Sequence, residues 1–213
     1  MQDQIKEFVS MAGRTLSLAE PIYEFGSFLV PEQLATADLR PLFPGKVYVG
    51  CDMREGPGVD RILNLHDIDL PDGTAGTVLC LDTLEHVEYP HQAMAEIYRI
   101  LRPDGIVLIS SVMNYPIHDY PCDYWRFTPE AFRSLLKPFH RVFVQCAGQE
   151  LFPHTVVGIG CKGDCTGLDR LADLSEIWRL QWTEPEPPRD LKGKLLRELK
   201  RVVRQITGRH GRS

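Results

Sequence analysis

Acidic residues stand at the ends of four segments that have the apolar, β-rich composition of buried strands. Glu24 lies near the end of the first segment, and Asp52, Asp67 and Asp82 follow the next three. Because ligands of open α/β sheets bind beyond the carboxyl ends of the strands, we expect these carboxylates to converge on one ligand. Gly26 would let that ligand approach the backbone where any Cβ would obstruct it. Acidic oxygens on several sides favour a ligand that is polar and partly cationic.

A second group of residues that could take part in binding or catalysis follows the fifth predicted strand, between positions 114 and 127. Aromatic side chains there can line a substrate cavity and exclude water, with Asn114 and Arg126 as polar contacts. Alternatively, Tyr124, Trp125 and Phe127 pack as an apolar plug, with Arg126 paired to Asp123 to hold the segment shut. The aromatic candidates for acceptor binding are Tyr115, Tyr120 and Trp125.

Three residues could take a proton from a hydroxyl or amine group of a bound substrate. His118 and Asp123 lie in this segment, and His86 follows the fourth predicted strand. A histidine at position 86 can also cap a helix or bond a buried carbonyl, so both interpretations stay open for it.

Extended segments alternate with helical ones along most of the chain. Alternation of this kind predicts an α/β fold with a doubly wound, mostly parallel sheet of seven strands and an antiparallel edge hairpin. Thr128 as N-cap and Pro129 as first residue favour a helix over 128–136, after a helix predicted over 89–101. The predicted strands are 21–25, 46–51, 60–65, 76–81, 105–110, 141–146 and 155–160.

Five motifs then match a known family in order and spacing. The sequence resembles the class I S-adenosylmethionine-dependent methyltransferases, specifically the methyltransferase type 11 group, over roughly residues 20 to 140. Leu-Glu-His-Val and Leu-Arg-Pro-Asp-Gly, separated by one helix, are the most specific pair. The motifs are Glu24-Phe-Gly26, Val49-Gly-Cys-Asp52, Leu65-His-Asp67, Leu81-Asp-Thr-Leu-Glu-His-Val87 and Ile100-Leu-Arg-Pro-Asp-Gly105.

The resemblance implies a Rossmann-like fold, S-adenosyl-L-methionine as the cofactor and transfer of its methyl group to a small-molecule or saccharide-like acceptor. It implies that Glu24 and the Gly26 backbone hold the amino-acid end of the cofactor. Asp52 would bind the ribose hydroxyls. The remaining cofactor contacts that it implies are Met53 on the adenine face, Asp67 and the Ile68 N–H at the adenine edge, and Asp82 at the methionine end.

The first motif departs from the family pattern, in which two or three glycines are usual. Here Ser27 and Phe28 follow Gly26, and a bulky residue narrows the space beside the methionine carboxylate. The alternative function is therefore a non-catalytic binding or scaffold protein that retains the fold. A dinucleotide cofactor fits poorly, because a pyrophosphate turn needs the additional glycines.

The composition is that of a globular protein. The 213 residues are 43% hydrophobic, with 24 Lys+Arg against 29 Asp+Glu for a net charge of −5. Six cysteines without a metal-ligand pattern predict reduced thiols and no metal site, since Cys161 and Cys165 form only a lone C-x3-C. The polar first residues and the lack of a long apolar run predict a cytoplasmic protein.

The charge is unevenly distributed, because residues 192–213 carry eight basic residues and one acid. We expect a methyltransferase domain at 1–183, a proline-rich linker at 184–190 and a basic amphipathic helix or tail at 191–213. Such a helix can dock on this chain or a partner subunit, or lie on an anionic membrane surface. The acidic body makes nucleic acid an unlikely partner.

Overall fold

The computed structural model describes residues 2–30, 37–118, 121–149, 151–183 and 195. The chain divides into two compact units, Met1–Thr183 and Glu184–Ser213. The predicted proline-rich linker lies outside the described residues, and so does the predicted basic tail apart from Leu195. The strands and helices given below lie in the described residues of the first unit.

Seven strands form one mixed sheet in the order β3-β2-β1-β4-β5-β7-β6, which confirms the predicted fold class. Strands β1 to β5 run parallel to one another, and β7 is antiparallel to both β5 and β6. The predicted antiparallel edge is therefore also confirmed. The strands are β1 Ile22–Phe25, β2 Tyr48–Asp52, β3 Arg61–Ile62, β4 Ala75–Leu81, β5 Leu101–Val112, β6 Arg141–Gln149 and β7 Phe152–Cys161.

Two helices cover each face of the sheet. They are α1 Asp3–Thr15, α2 Pro90–Ile100, α3 Pro129–Leu135 and α4 Leu168–Gln181. Strand β4 shows the pattern that makes this possible: Val78 and Cys80 belong to the apolar cluster under α2 and α3, and Leu79 and Leu81 belong to the cluster under α1 and α4. Such a strand is apolar throughout because both of its faces are buried.

The strand order reverses between β1 and β4. The chain builds outward from β1 through β2 to β3, then returns to place β4 on the other side of β1. Ligand sites of open α/β sheets lie beyond the carboxyl ends of the strands at this reversal. Two short segments stand there, one after Phe25 and one after Leu81, and the Thr83 hydroxyl joins them by donating to the Phe25 carbonyl at 3.2 Å.

The sequence prediction differs from the structure in the number of helices. Residues 53–60 and 63–74, which flank β3, contain turns and no helix, so helices do not follow every strand. Strand β3 is also much shorter than the predicted 60–65. Helices α1 and α4, which cover one whole face, were not predicted. All six cysteines are free thiols, as expected, and no described helix combines the length and apolarity that crossing a membrane requires.

Helix α3 begins as predicted, with Pro129 at its first position and the Thr128 hydroxyl accepting from the Ala131 N–H at 3.1 Å. Replacing Thr128 with alanine leaves that N–H without its cap. We expect the free energy of unfolding to fall by about 1 kcal/mol in urea denaturation. Ser134→Ala, at an exposed position of the same helix, is the control and should change it little; equal effects of the two variants would contradict the capping role.

Candidate active site

A cavity of about 620 Å³ lies at the reversal of strand order, beyond β1, β2 and β4. Eight of the residues predicted from the sequence line it: Glu24, Gly26, Asp52, Met53, Asp82, His86, Tyr115 and His118. Six others do not line this cavity: Asp67, Ile68, Asn114, Asp123, Trp125 and Arg126. Tyr120 lies outside the described residues.

Glu24 brings a buried carboxyl group to the cavity wall from the third position of β1. The Tyr48 hydroxyl donates to Glu24 Oε2 at 2.7 Å from the neighbouring strand. Burial raises the pKa of Glu24 to about 7, although the Tyr48 hydrogen bond and the positive charge of Arg40 act in the opposite direction. Near neutral pH, a cationic group that binds beside Glu24 would therefore displace the proton of the carboxyl group.

Asp52 is the last residue of β2 and is buried. Its Oδ1 accepts from the Arg54 backbone N–H at 3.0 Å and from Arg54 Nε at 3.2 Å. Both of these bonds end on one oxygen, so Oδ2 is the oxygen positioned for a ligand hydroxyl. The next residue, Met53, exposes 60% of its surface at the cavity wall, where it can pack on a flat ring.

Gly26 lines the cavity, and the structure also shows what its backbone contacts within the protein. Its φ is +83°, and a Cβ would lie 2.1 Å from Thr83 Oγ1, so the close approach that requires glycine is made by Thr83 rather than by a ligand. The N–H groups of Gly26 and Ser27 both donate to the Cys51 carbonyl. Neither N–H group therefore points to the amino-acid end of a cofactor.

The bulky residue that departs from the family motif is accommodated beside the cavity. Arg54 stacks on the ring of Phe28, with its Cζ 4.5 Å from the ring centroid. A Cβ on Gly56 would lie 2.2 Å from the same ring, so the absence of a side chain at position 56 makes room for it. Phe28 thus forms part of the cavity wall without closing the cavity.

Two acids follow β4, the half-buried Asp82 and the buried Glu85. Asp82 has a left-handed φ of +46°, and its Oδ1 accepts from the Ser110 hydroxyl at 3.0 Å. Glu85 is fully buried, with Oε2 accepting from the Ser111 hydroxyl at 2.8 Å. Burial raises the pKa of Asp82, and burial together with the charge of Asp82 raises the pKa of Glu85. A cation at this position would relieve both costs.

The two predicted residues of the third motif, Asp67 and Ile68, lie outside the cavity wall in this structure, and their cofactor contacts stay predictions. The Ile68 N–H donates to Glu96 Oε2 at 3.0 Å, and Asp67 is exposed and outside the cavity wall. Residues 64–66, just before it, line the cavity instead. The reason is the shortness of β3: the chain turns after Ile62, and an Asn64–Asp67 bridge closes that turn.

The segment after β5 is fastened over the 3-10 turn Leu84–His86. The backbone N–H groups of Tyr124 and Trp125 both donate to the Glu85 carbonyl, and Trp125 Nε1 donates to the Val87 carbonyl at 3.0 Å. The indole of Trp125 therefore holds the segment in place and is not part of the cavity wall. Tyr115 and Tyr124 are the aromatics of this segment that line the cavity.

Asp123 and Arg126 form the ion pair that the sequence offered as an alternative. Arg126 donates to both oxygens of Asp123, at 2.5 and 2.7 Å, and also to the carbonyls of Tyr115 and Pro116. These contacts hold the pKa of Asp123 well below its usual range. So weak a base is poorly suited to proton removal near neutral pH, so the ion pair favours a positioning role for Asp123 over the predicted catalytic role.

The two histidines predicted as catalytic residues, His86 and His118, are neighbours in the cavity wall. Their rings meet edge to face, with centroids 4.8 Å apart. His86 Nδ1 is 2.6 Å from the Cys122 carbonyl, and His118 Nδ1 is 3.1 Å from Asp123 Oδ2. Burial lowers the pKa of His86. The carbonyl contact that the sequence offered as the structural interpretation of His86 is thus present, and His86 also lines the cavity.

The cavity fits the cofactor that the resemblance implies. Its volume is within the roughly 300–1,000 Å³ of ligand sites, and its buried acids suit a ligand with a sulfonium and an ammonium group. The Ser27 hydroxyl is buried in the wall and has no hydrogen-bond partner among the described residues. Position 27 was noted in the sequence only as a departure from the glycine motif, although an orphaned hydroxyl there suits the polar end of a ligand.

Comparison with known proteins agrees with this site. Residues 46–109 match the family model described as a methyltransferase domain, which includes β2 to β4 and most of β5. The match indicates S-adenosyl-L-methionine as the cofactor. A search of curated protein sequences gives no match.

Solved structures of low sequence identity share the fold. A chain from the complex between the Haloferax volcanii Trm112 methyltransferase activator and a methyltransferase is 15% identical with a TM-score of 0.54, covering 77% of this chain and 92% of its own. A Thermotoga maritima S-adenosylmethionine-dependent methyltransferase is 18% identical with a TM-score of 0.52, covering 76% and 100%. The Burkholderia thailandensis 1,6-didemethyltoxoflavin-N1-methyltransferase, solved with its substrate and S-adenosylhomocysteine, is 18% identical with a TM-score of 0.53, covering 76% and 80%. The partial family match and the shared fold agree with the resemblance seen in the motifs: residues 46–109 match a methyltransferase domain, and the chain has the fold of these S-adenosylmethionine-dependent methyltransferases.

Proposed function

We propose that this chain is an enzyme that transfers a methyl group from S-adenosyl-L-methionine to a small-molecule or saccharide-like acceptor. One observation carries the proposal: Glu24, Asp52 and Asp82, from three different strands, line a single cavity at the reversal of strand order. Each acid is held there by a hydrogen bond from a neighbouring residue, Tyr48, Arg54 or Ser110, so the cavity carries acidic groups before any ligand enters. That arrangement suits a cationic ligand with a ribose.

The residues have separate tasks in this proposal. Glu24 and the Ser27 hydroxyl would hold the amino-acid end of the cofactor, Asp52 the ribose hydroxyls, Met53 the adenine face and Asp82 the methionine end. When bound, the cofactor supplies an electrophilic methyl group on a sulfonium. The protein's contribution to such a displacement is mostly orientation and exclusion of water.

The acceptor half of the cavity is formed by the segment after β5 and the turn after β4. Tyr115 and Tyr124 offer flat apolar faces, and His86 and His118 offer ring nitrogens next to them. Ligand sites commonly combine apolar walls with a few such polar groups. This combination favours a small cyclic acceptor with hydroxyl or amine groups, and the two histidines are the proposed proton acceptors.

Two measurements test the proposal. Calorimetry with S-adenosylmethionine and S-adenosylhomocysteine should give one binding site per chain, and no binding of either at millimolar concentration would reject the enzyme. Purified protein incubated with cofactor and a panel of sugars, phenols and amines should then form S-adenosylhomocysteine with part of the panel only.

Glu24 predicts a pH dependence of cofactor binding. Because the pKa of Glu24 is raised to about 7, the carboxyl is protonated at pH 5.5 and must lose its proton to bind an ammonium group. Affinity for S-adenosylhomocysteine should fall as pH is lowered from 7.5 to 5.5, by up to about tenfold per pH unit below the pKa. Calorimetry across this range checks it. Glu24→Gln should bind more weakly at pH 7.5 and lack the dependence; an unchanged slope in that variant would place the titrating group elsewhere.

A second candidate function is a binding protein without turnover. The observation that favours it is the Cys51 carbonyl, which accepts from the Gly26 and Ser27 N–H groups and withdraws them from the cavity. Such a protein would bind the cofactor in calorimetry and form no product with any acceptor of the panel.

The basic tail at 191–213 and the cytoplasmic location predicted from the sequence stay predictions. We propose that the tail docks on an acidic surface of this chain or a partner subunit, with an anionic membrane surface as the alternative. Co-sedimentation with vesicles that contain phosphatidylserine separates the two, because only the membrane interpretation predicts that the protein binds the vesicles. That binding should be lost at high salt.

A further inference from the structure

We propose that Glu85, His86 and His118 form a site for a divalent transition-metal ion in the acceptor half of the cavity. One ligand atom from each of the three residues lies within 4.8 Å of the others. Two histidines and one glutamate are a donor set that zinc uses in catalytic sites, where a fourth position is left for water or substrate. The cysteine pattern did not indicate this site, since no thiol takes part in it.

The distances require only a small contraction. Bonds of about 2.1 Å place the ligand atoms of a tetrahedral ion about 3.4 Å apart. Closing the set from 4.8 Å needs side-chain rotations of His86 and His118, which are both partly exposed, while Glu85 stays fixed in the core.

Glu85 supplies an observation that is independent of the clustering. Its side chain is fully buried, Oε2 accepts from Ser111, and Oε1 has no hydrogen-bond partner among the described residues. A buried carboxylate oxygen without a donor is costly, and its energy is recovered when a cation or proton occupies the position. A bound ion would give this oxygen a partner and would offset the charge of Asp82, which acts on Glu85.

Both histidines are oriented as metal ligands usually are. His86 Nδ1 lies against the Cys122 carbonyl, and His118 Nδ1 lies against the Asp123 carboxylate, which Arg126 holds in turn. Ligating histidines almost always donate one ring N–H to a carbonyl or carboxylate in this way and bind the metal through the other nitrogen. The Asp123–Arg126 pair thereby gains a role in positioning His118.

The chemical consequence concerns the acceptor. Imidazole nitrogens favour zinc, iron, cobalt, nickel or copper over magnesium and calcium. An ion held between Glu85 and the two histidines would face the cavity, where it could bind an acceptor oxygen and lower the pKa of a hydroxyl. With the ion bound, the two histidines would serve as its ligands, and the ion would replace them as the group that activates the acceptor hydroxyl. The inference does not depend on the proposed function, because ion binding is measured without cofactor.

Cobalt titration of the full-length protein under reducing conditions tests the site. Visible absorption of Co²⁺ bound by nitrogen and oxygen ligands, without the near-ultraviolet bands of thiolate ligation, should saturate at one ion per chain, and Zn²⁺ should displace it. Glu85→Gln and His118→Ala should each weaken Co²⁺ binding by at least about 100-fold, and Asp123→Asn by about 10- to 100-fold. Circular dichroism establishes that each variant is folded.

Two matched variants serve as controls. His91→Ala and His140→Ala each remove an exposed histidine, in α2 and directly before β6, that lies outside the cavity wall. Both should bind Co²⁺ like the wild type. No saturable binding by the wild type, unchanged binding by Glu85→Gln and His118→Ala, or loss of binding in His91→Ala would each overturn the site. Binding of S-adenosylhomocysteine in the same preparations distinguishes this failure from failure of the proposed function.

Discussion

Asp52→Asn is expected to weaken binding of S-adenosylhomocysteine by about 10- to 100-fold, as measured by calorimetry at pH 7.5. Hydrogen bonds to a charged group contribute about 1.5–3 kcal/mol each, and asparagine keeps the shape of the side chain while it removes the charge and one acceptor oxygen. The Arg54 backbone N–H would still find an oxygen at Oδ1, so the local turn is retained. The loss would therefore report the interaction with the ribose rather than a disturbed fold.

Asp67→Asn is the matched control, because the resemblance to the family assigns both aspartates to the cofactor and the structure separates them. Asp67 is exposed and outside the cavity wall. Its variant should bind S-adenosylhomocysteine within about twofold of the wild type. A large effect at Asp67 would show that residues 64–68 rearrange on binding, and unchanged affinity in Asp52→Asn would place the ribose elsewhere.

The sheet could be predicted because both faces of its central strands are buried. Residues 76–81 and 105–110 are continuous apolar runs, and such runs predict strands of a covered parallel sheet. Helices α1 and α4 carry a signal that was not used: Ile5, Phe8, Val9 and Ala12 recur at helical spacing, and so do Leu168, Leu171 and Trp178. Both lie outside the part of the sequence that resembles the family, so their place on the sheet had no template.

The site could be predicted where it depends on strand ends and not where it depends on backbone turns. Glu24, Asp52 and Asp82 are at or directly after strands, and the strand order places them together. The partners of the Gly26 and Ile68 N–H groups depend on how each turn closes, which the identity of neighbouring residues does not specify. The Ser27 hydroxyl and Glu85 Oε1 became candidates only through burial without a partner.

Arg126→Ala is expected to lower the free energy of unfolding by about 2–4 kcal/mol in urea denaturation. The Asp123 side chain is 2% exposed, and Arg126 gives it two hydrogen bonds and a positive charge, beside one hydrogen bond from the His118 backbone N–H at 2.9 Å. Removing Arg126 therefore leaves a buried carboxylate without its main countercharge, which is costly. The carbonyls of Tyr115 and Pro116 lose a donor in the same variant. The segment that carries His118 should also become more susceptible to proteolysis.

A double-mutant cycle separates the ion pair from the other contacts of Arg126. Asp123→Ala combined with Arg126→Ala should be less destabilised than the sum of the single variants by about 1–3 kcal/mol, because no buried charge is left unpaired. Glu130 and Arg133 provide the matched control: their ion pair has a similar length, 2.6 Å, and the same sequence spacing, but the side chains are 81% and 50% exposed. Arg133→Ala should cost less than about 1 kcal/mol, since exposed pairs contribute little. Equal losses in the two pairs, or additive effects at Asp123 and Arg126, would mean that burial of Asp123 does not govern the strength of this contact.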